Sequence, residues 1–488
     1  MKKVAIIGSG IAGLASAVRL AVKGYAVEVF EANSYTGGKL TEIILENKYR
    51  FDTGPSLFTM PHFVDELFTL AGENPKDYFN YQKLDVFTHY FYEDGTRLKA
   101  FADKNLFANE VEEKLNEPKE NILKFIQYSE RIYKITNRVF MHNSLHKLKT
   151  YLHFDTLKSI AQLHKIDSFR TMHNANKSFF KNPKTVQLFD RYATYNGSNP
   201  YLTPATLNII PHLEYGIGAF YPKGGMHEIS QQITALAKRL GVTFHLNSKV
   251  EEIVIDENTV KGIKVNKTFL PFDKVVSNMD LVHTYRKLLP HVAHPEKLLS
   301  QPKSTSALIF YWGISKSFSE LGLHNILFSD DYEKEFNALK NGVSIDNDPT
   351  IYINITSKFT PSDAPDGHEN WFVMINVPAN KGQDWDKLIT EARENVINKI
   401  SRILNIDLKS FIVCEDILDP RKIESRTSSY QGALYGNSSN NKFAAFLRHP
   451  NFSKKLKNLY FCGGSVHPGG GIPLCLLSAK ITSDLISD

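Results

Sequence analysis

Three glycines in Gly8-Ser9-Gly10-Ile11-Ala12-Gly13 stand at the spacing that lets a backbone clasp a nucleotide diphosphate. Gly8 permits a tight turn, Gly10 lets the main chain come up against a pyrophosphate, and Gly13 lets the next helix pack closely on the strand before it. Phosphate then sits at a helix N-terminus, where unpaired N–H groups and the positive end of the helix dipole stabilise its charge. Further along, Glu31 and Ala32 close the unit. A carboxylate at Glu31 can accept both hydroxyl hydrogens of an adenosine ribose and would repel a 2′-phosphate, which disfavours NADP. The elements that must position these groups are legible around them. Val4-Ala5-Ile6-Ile7 reads as a buried parallel strand, and a helix runs through Leu14, Ala17, Val18 and Ala21 to a stop at Gly24. A second strand, Ala26 to Phe30, delivers Glu31.

Beyond the acidic residue, Gly37-Gly38-Lys39 and Phe51-Asp52-Thr53-Gly54-Pro55-Ser56 add two more glycine turns where an NAD enzyme would continue its helices. Extra backbone turns suit a longer cofactor, so FAD is expected. The far end of the chain repeats the theme. Leu459 to Cys462 reads as a short strand, followed by Gly463-Gly464, the run His467-Pro468-Gly469-Gly470-Gly471-Ile472-Pro473, and a helix from about Leu474 to Ile486. Such a loop can bring backbone N–H groups to the pyrimidine edge of a flavin, where negative charge develops on reduction. A surface loop ahead of a terminal helix is the plainer alternative. Together the two ends predict an FAD-dependent oxidoreductase.

The remaining composition narrows the setting. A chain of 488 residues has room for two or three domains, and 42% hydrophobic with 23% charged residues excludes a disordered chain. Cys414, Cys462 and Cys475 have no metal-ligand spacing and cannot build a disulfide framework, which points to a reducing, cytoplasmic interior and to no metal centre. The apolar stretch Val4 to Leu20 lacks a small-residue cleavage site and its glycines have another explanation, so it is not expected to be a signal peptide. No uncharged apolar run is long enough to span a bilayer. Net charge is +6, and Lys147 to Lys184 alone carries eight lysines and arginines against Asp155 and Asp167. There Leu157, Ile160, Leu163, Ile166, Phe169 and Met172 recur every third residue beside Lys158, Lys165 and Arg170. The stripe reads either as a cationic amphipathic surface on an anionic membrane or as a helix packed on the core with its lysines in water. No nucleic-acid-binding motif accompanies the charge.

Val4 to Gly54 resembles the dinucleotide-binding region of the flavoprotein desaturases of carotenoid biosynthesis, relatives of the amine oxidase fold. The likeness continues in family order through Asn199-Pro200, Phe220 to Gly225, Ser277-Asn278, His283 to Arg286, Ala364 to Gly367, Tyr430-Gln431-Gly432 and His467 to Pro473. It implies an α/β (α+β) architecture: a Rossmann-like FAD domain, a mixed-sheet substrate domain and a helical, membrane-facing segment. The FAD domain is expected from residues 1–85, 220–290 and 415–488, the helical segment from 86–219, and the substrate sheet from 291–414, with strands at Ser306 to Trp312, Thr350 to Ile355 and Trp371 to Val377. By motif, FAD contacts fall on Gly8, Gly10, Gly13, Glu31, Lys39, Gly54 and Gly464 to Ile472, with Val250 offering its backbone to the adenine side. Many related flavoproteins carry an aspartate after the glycine of the last strand turn; here the run is Gly463-Gly464-Ser465.

The resemblance further implies removal of two hydrogens from a saturated carbon pair of a long polyene. The electrons pass to FAD and then to a separate acceptor, oxygen or a quinone. A base must take the proton. His212 and Glu214, just before the Phe220 to Gly225 turn, and His467 in the glycine loop are the candidates. The chain is most similar to the bacterial 1-hydroxycarotenoid 3,4-desaturase branch. Phytoene desaturation, carotenoid isomerisation, an amine-type oxidase and a carotenoid carrier without turnover stay open beside it. Peripheral attachment to the cytoplasmic face of a membrane would give such an enzyme its greasy substrate.

Overall fold

The structure, a computed structural model, describes residues 1–151, 162, 165–441 and 448–486. Its N-terminal strand, Lys3–Ile7, is buried from Val4 onward and lies at the centre of a five-stranded sheet. The order across that sheet is Thr243–His245, Ala26–Phe30, Lys3–Ile7, Lys274–Ser277, Leu459–Phe461, and every pairing is parallel. Strands buried on both faces need near-continuous apolar sequence, and Val-Ala-Ile-Ile supplies it at about 1.5–3 kcal/mol for each fully buried Val or Ile. Because all five run the same way, their carboxyl ends emerge at one edge. Gly8, Glu31, Asn278 and Gly463 therefore meet there, although they are far apart in the chain.

The helix Ile11–Val22 is apolar nearly all round, with Ala12 to Leu20 buried, because it is sandwiched between the helices His227–Arg239 and Ile472–Leu485. It stops as its sequence predicts. Gly24 takes φ 85° just past the last turn and donates its N–H to Ala21 O at 2.9 Å.

A second sheet of seven strands runs Ile412–Leu418, Ser306–Ile314, Glu369–Val377, Ile351–Ile355, His324–Leu327, Val86–Phe91, Arg97–Phe101. Ser306–Ile314 is buried at every position, not alternately, since one face of this sheet is covered by the helix Trp385–Leu404 and the other turns inward. Two expected boundaries shift. Residues 86–101, assigned above to a helical segment, form a hairpin in this sheet: Val86 to Phe91 is rich in β-branched and aromatic residues, and Asp94-Gly95 makes the turn. Residues 412–418, assigned in part to the FAD domain, form the opposite edge.

Helices between Lys104 and Asp190 build a third layer around Phe125, Phe180 and Phe189. The three-residue stripe is not one helix where it is described. Asp167 takes φ 56°, Ile166 and Met172 are buried, and Phe169 between them is 83% exposed. A fresh helix starts at Met172, capped by the Thr171 hydroxyl. Leu157, Lys158, Ile160 and Leu163 lie outside the described residues.

Candidate functional site

One cavity of about 1820 Å³ opens at the carboxyl edge of the parallel sheet and continues across the seven-stranded one. Ligand pockets for one small molecule usually fall near 300–1,000 Å³, so this one has space for a large cofactor and an elongated substrate together. Of the residues expected to contact FAD, all line it except Gly13, Val466 and Gly469. For Gly13 there is a physical reason: it acts from beneath, where a Cβ would lie 2.2 Å from Gly8 O.

The glycine turns fold onto one another. Gly37 N donates to Ser9 O at 2.9 Å, and a Cβ on Gly38 would come to 3.1 Å from Gly10 Cα. Gly10 caps the helix Ile11–Val22 without any side-chain hydrogen bond, and Gly471 does the same for Ile472–Leu485. Two helix N-termini thus present uncapped amides to one space, at opposite ends of the sequence, which is the cradle that a dinucleotide diphosphate fits. Asp52 fastens the next turn by accepting from the backbone N–H of Met226 and His227, both at 2.9 Å, which explains why the Phe51 to Pro55 and Phe220 to Gly225 motifs occur together. On the adenine side the ladder skips Glu251, a bulge beside the lining residue Val250.

Glu31 is buried at the end of its strand, with each carboxylate oxygen holding one backbone and one side-chain donor. Ser9 N and Oγ reach Oε2 at 2.8 and 2.7 Å; Asn33 N and Nδ2 reach Oε1 at 2.9 and 3.0 Å. A ribose diol can replace the two side-chain donors while the backbone bonds keep the carboxylate aimed. Hydrogen bonds to a charged group contribute about 1.5–3 kcal/mol. Glu31→Ala is therefore expected to weaken FAD binding about ten- to a hundredfold, read as flavin per protein after gel filtration and by reconstitution titration. Unchanged flavin content would remove Glu31 from the site.

Lys39 is half-buried on the cavity wall, donates to Leu434 O at 2.9 Å, and has its ammonium pKa lowered by desolvation. Two contributors were not singled out from sequence. Arg448 donates to Asn437 O at 3.0 Å and to Tyr435 O and Gly464 O at 3.2 Å, tying the segment around Tyr435 to the last glycine loop; burial lowers its pKa to about 10. Asp280 puts a carboxyl on the cavity wall, its pKa raised by burial, in the region where the Gly463-Gly464-Ser465 turn lacks an aspartate. Ser465 itself accepts from Leu281 N at 3.0 Å. Neither Arg448 nor Asp280 has a local signal, because each acts only once distant segments meet.

Of the three expected proton acceptors, only His467 lines the cavity. Its Nε2 lies 2.9 Å from Asn143 O, a carbonyl that can only accept, so Nε2 carries the hydrogen and Nδ1 keeps its lone pair. Nδ1 is buried without a partner among the described residues, and burial lowers the imidazole pKa to about 4. Glu214 does not reach the cavity wall. It is committed to Arg191, Tyr192 and Tyr195 inside the helical layer. His212 is not on the wall either; its ring folds back over its own turn, where a Cβ on Gly216 would sit 2.2 Å from it.

A model of the flavin containing amine oxidoreductase family matches residues 11–487. Over 486 residues the chain is 55% identical to a 1-hydroxycarotenoid 3,4-desaturase of Flavobacterium sp. (strain P99-3), covering 100% of this chain and 99% of that one. It is 34% identical over 493 residues to a 4,4'-diapolycopene oxygenase of Methylomonas sp, with 99% and 98% covered. Putrescine oxidase bound to putrescine superposes with a TM-score of 0.63 at 13% identity, covering 99% of this chain and 98% of that one. An oxidoreductase from Methanosarcina mazei gives 0.62 at 15%, with 98% of each covered. At such identities the two structures speak to the fold. The glycine cradles at both chain ends and the match along nearly the whole length agree: the chain belongs to the flavin containing amine oxidoreductase family and is an FAD-dependent oxidoreductase.

Proposed function

We propose that the protein is a carotenoid desaturase that introduces a double bond into a long polyene, with 3,4-desaturation of a 1-hydroxycarotenoid as the specific reaction. The observation that carries this reading is the wall of the cavity away from the cofactor turns. Among the described residues, the lining drawn from 55–213 and 307–376 contains no aspartate or glutamate; Leu57, Phe140, Leu207, Ile326 and Phe372 are representative. A protonated amine buried there would have no carboxylate to pair with, whereas a hydrocarbon loses nothing. The 55% identical relative, matched over its full length, supports the same substrate class.

When bound, FAD supplies the hydride acceptor. The chain's own residues do the rest. The apolar wall excludes water from the reacting carbons. Loss of hydride leaves positive charge spread along the polyene, so the neighbouring C–H becomes strongly acidic and a weak base suffices. His467 offers its Nδ1 lone pair for that proton. With a pKa of about 4 the base form is already complete near neutrality. kcat is therefore expected to stay flat as pH falls to about 5 and to drop as pH passes through about 4. His467→Phe should lower kcat by about 10²-fold or more with flavin retained. A pH profile that breaks near neutrality, or full turnover in that variant, would rule His467 out as the base.

The assay that tests the function mixes purified flavoprotein anaerobically with a 1-hydroxycarotenoid, lycopene, phytoene and putrescine in turn. Bleaching of the flavin with a red-shifted carotenoid is expected for the first. Bleaching with putrescine alone would replace the reading with an amine oxidase.

Peripheral binding to a membrane from the cytoplasmic side fits the same picture. Phe169 both lines the cavity and is 83% exposed, and it lies within the basic stretch Lys147 to Lys184. Arg170 is engaged by Asp167, but Lys165, Lys177 and Lys181 are exposed. Each basic residue near an anionic surface contributes about 1 kcal/mol. Reversing these three to glutamate should cut cosedimentation with anionic vesicles by at least about tenfold. Unchanged binding would assign the basic residues to a solvated face.

A further inference from the structure

Polar side chains stud this wall among the apolar ones, Arg191, Tyr195, Asn196 and His324 included, and His324 is deeply buried. His324, on the strand His324–Leu327, lines the cavity and is 2% exposed. Its Nδ1 lies 2.7 Å from the Tyr352 hydroxyl and 3.2 Å from Asn354 Nδ2. The Asn354 nitrogen also donates to Leu323 O at 3.0 Å, so it is an amide N–H₂ and can only donate. Nδ1 must therefore accept, and the ring hydrogen sits on Nε2. That Nε2 has no partner among the described residues. A buried N–H is nearly always hydrogen-bonded, so an orphaned one on a residue of the cavity wall, itself closed to water, is satisfied only if ring and ligand adjust to bring an acceptor to it.

The neighbours define which acceptor. Tyr352 directs its hydrogen to Nδ1 and takes one from Ser56 Oγ, 2.7 Å away, leaving no further donor. Burial, and after it the nearby charges of Arg191 and His89, hold the imidazole pKa down to about 3. Arg191 is itself engaged by the Tyr90 hydroxyl at 2.8 Å, by Tyr195 at 3.1 Å and by the Glu214 carboxylate at 3.5 Å. The spot is thus electrically balanced and offers a neutral N–H. An ammonium would meet a donor, and a plain hydrocarbon would leave the donor empty. A neutral oxygen satisfies it. Position matters as well. Ser56 directly follows the Gly54-Pro55 turn on the cofactor side, and its bond to Tyr352 places this spot where the cofactor and polyene parts of the cavity join.

We propose that His324 Nε2 donates a hydrogen bond to a hydroxyl oxygen borne near one end of the polyene, and that this contact selects hydroxylated substrate over its unsubstituted analogue. The inference rests on the desaturase reading above and names the group that reads the substrate's oxygen. A site built around a substrate hydroxyl rejects the analogue lacking it strongly, since the empty donor remains buried.

The test uses FAD-loaded wild type, His324→Phe and His324→Gln with a 1-hydroxycarotenoid and the carotenoid of equal length without the hydroxyl. Wild type should favour the hydroxylated substrate by about 10²-fold or more in kcat/KM. His324→Phe should bring the two within a few-fold of each other, losing on the hydroxylated substrate and gaining on the hydrocarbon, at unchanged flavin content. His324→Gln, whose amide can still donate, should keep part of the preference. Anaerobic spectral titration should give the same order in Kd. Equal turnover of both substrates by wild type, or an unaltered preference in His324→Phe, overturns the role of His324 while leaving the desaturase intact. If His324→Phe does not retain flavin, wild type and His324→Gln decide the matter. Wild type acting on neither carotenoid removes the desaturase reading and this inference with it.

Discussion

Gly13→Val is expected to purify colourless. A Cβ at residue 13 would lie 2.2 Å from Gly8 O and 3.0 Å from Asn278 Nδ2, and the first of these is backbone in a turn at φ 92°. Neither side can yield without moving the helix Ile11–Val22 off the sheet, and with it the amides that face the cavity. The flavin-to-protein absorbance ratio should fall below about a tenth of wild type, because displacement of even 1 Å at a preorganised site costs on the order of 10²-fold. Gly24→Ala is the control. It also sits at positive φ, 85°, but a Cβ there meets nothing within 4 Å, so it should cost only about 1 kcal/mol and keep the yellow colour. A colourless Gly24→Ala or a yellow Gly13→Val would mean that close packing beneath the turn is not what builds the site.

Glu214→Ala should be among the most destabilising single changes in the molecule. Its carboxylate is 1% exposed and is the only acid bonded to Arg191 among the described residues. The same Arg191 lies 4.2 Å from the centre of the Tyr192 ring and is buried among three tyrosines. Truncation leaves a buried cation and two tyrosine hydroxyls without their acceptor, a loss of about 3–5 kcal/mol. The outcome to look for is a large fall in thermal midpoint of the flavin-loaded protein. Glu214→Gln separates structure from chemistry. If Glu214 only holds Arg191, the folded fraction of that variant turns over normally; if it takes the proton, kcat falls while stability changes little.

The cofactor half of the site was legible because its signals are local. Gly8 to Glu31 is one strand–turn–helix–strand unit, and the Gly463 to Ile472 loop is another strand–turn–helix, so spacing alone states their geometry. Even the departure at Ser465 could be read, though not the presence of Asp280 on the same wall. The substrate half was much less legible. His324, Tyr352, Ser56 and Arg191 come from four separate segments and meet only through the seven-stranded sheet and its covering helices. No window of sequence contains their relation. Glu214 and His212 looked chemical because they adjoin a motif, yet burial against Arg191 and a folded-back ring employ them elsewhere. The hairpin at 86–101 does carry local signals, an aromatic, β-branched strand and an Asp-Gly turn, although the segment that follows it is helical. The three-residue stripe fails as a single helix at Asp167, where a positive φ breaks the period.

The edge strand Leu459–Phe461 docks beside Lys274–Ser277, and only the helix Ile472–Leu485 after it completes the second uncapped amide end. Two strand–helix units from distant parts of the sequence must therefore both be folded before the cavity can clasp a diphosphate. Local opening of either one should free the cofactor and let water into the channel behind it, so flavin release should report the weaker of the two units rather than global unfolding.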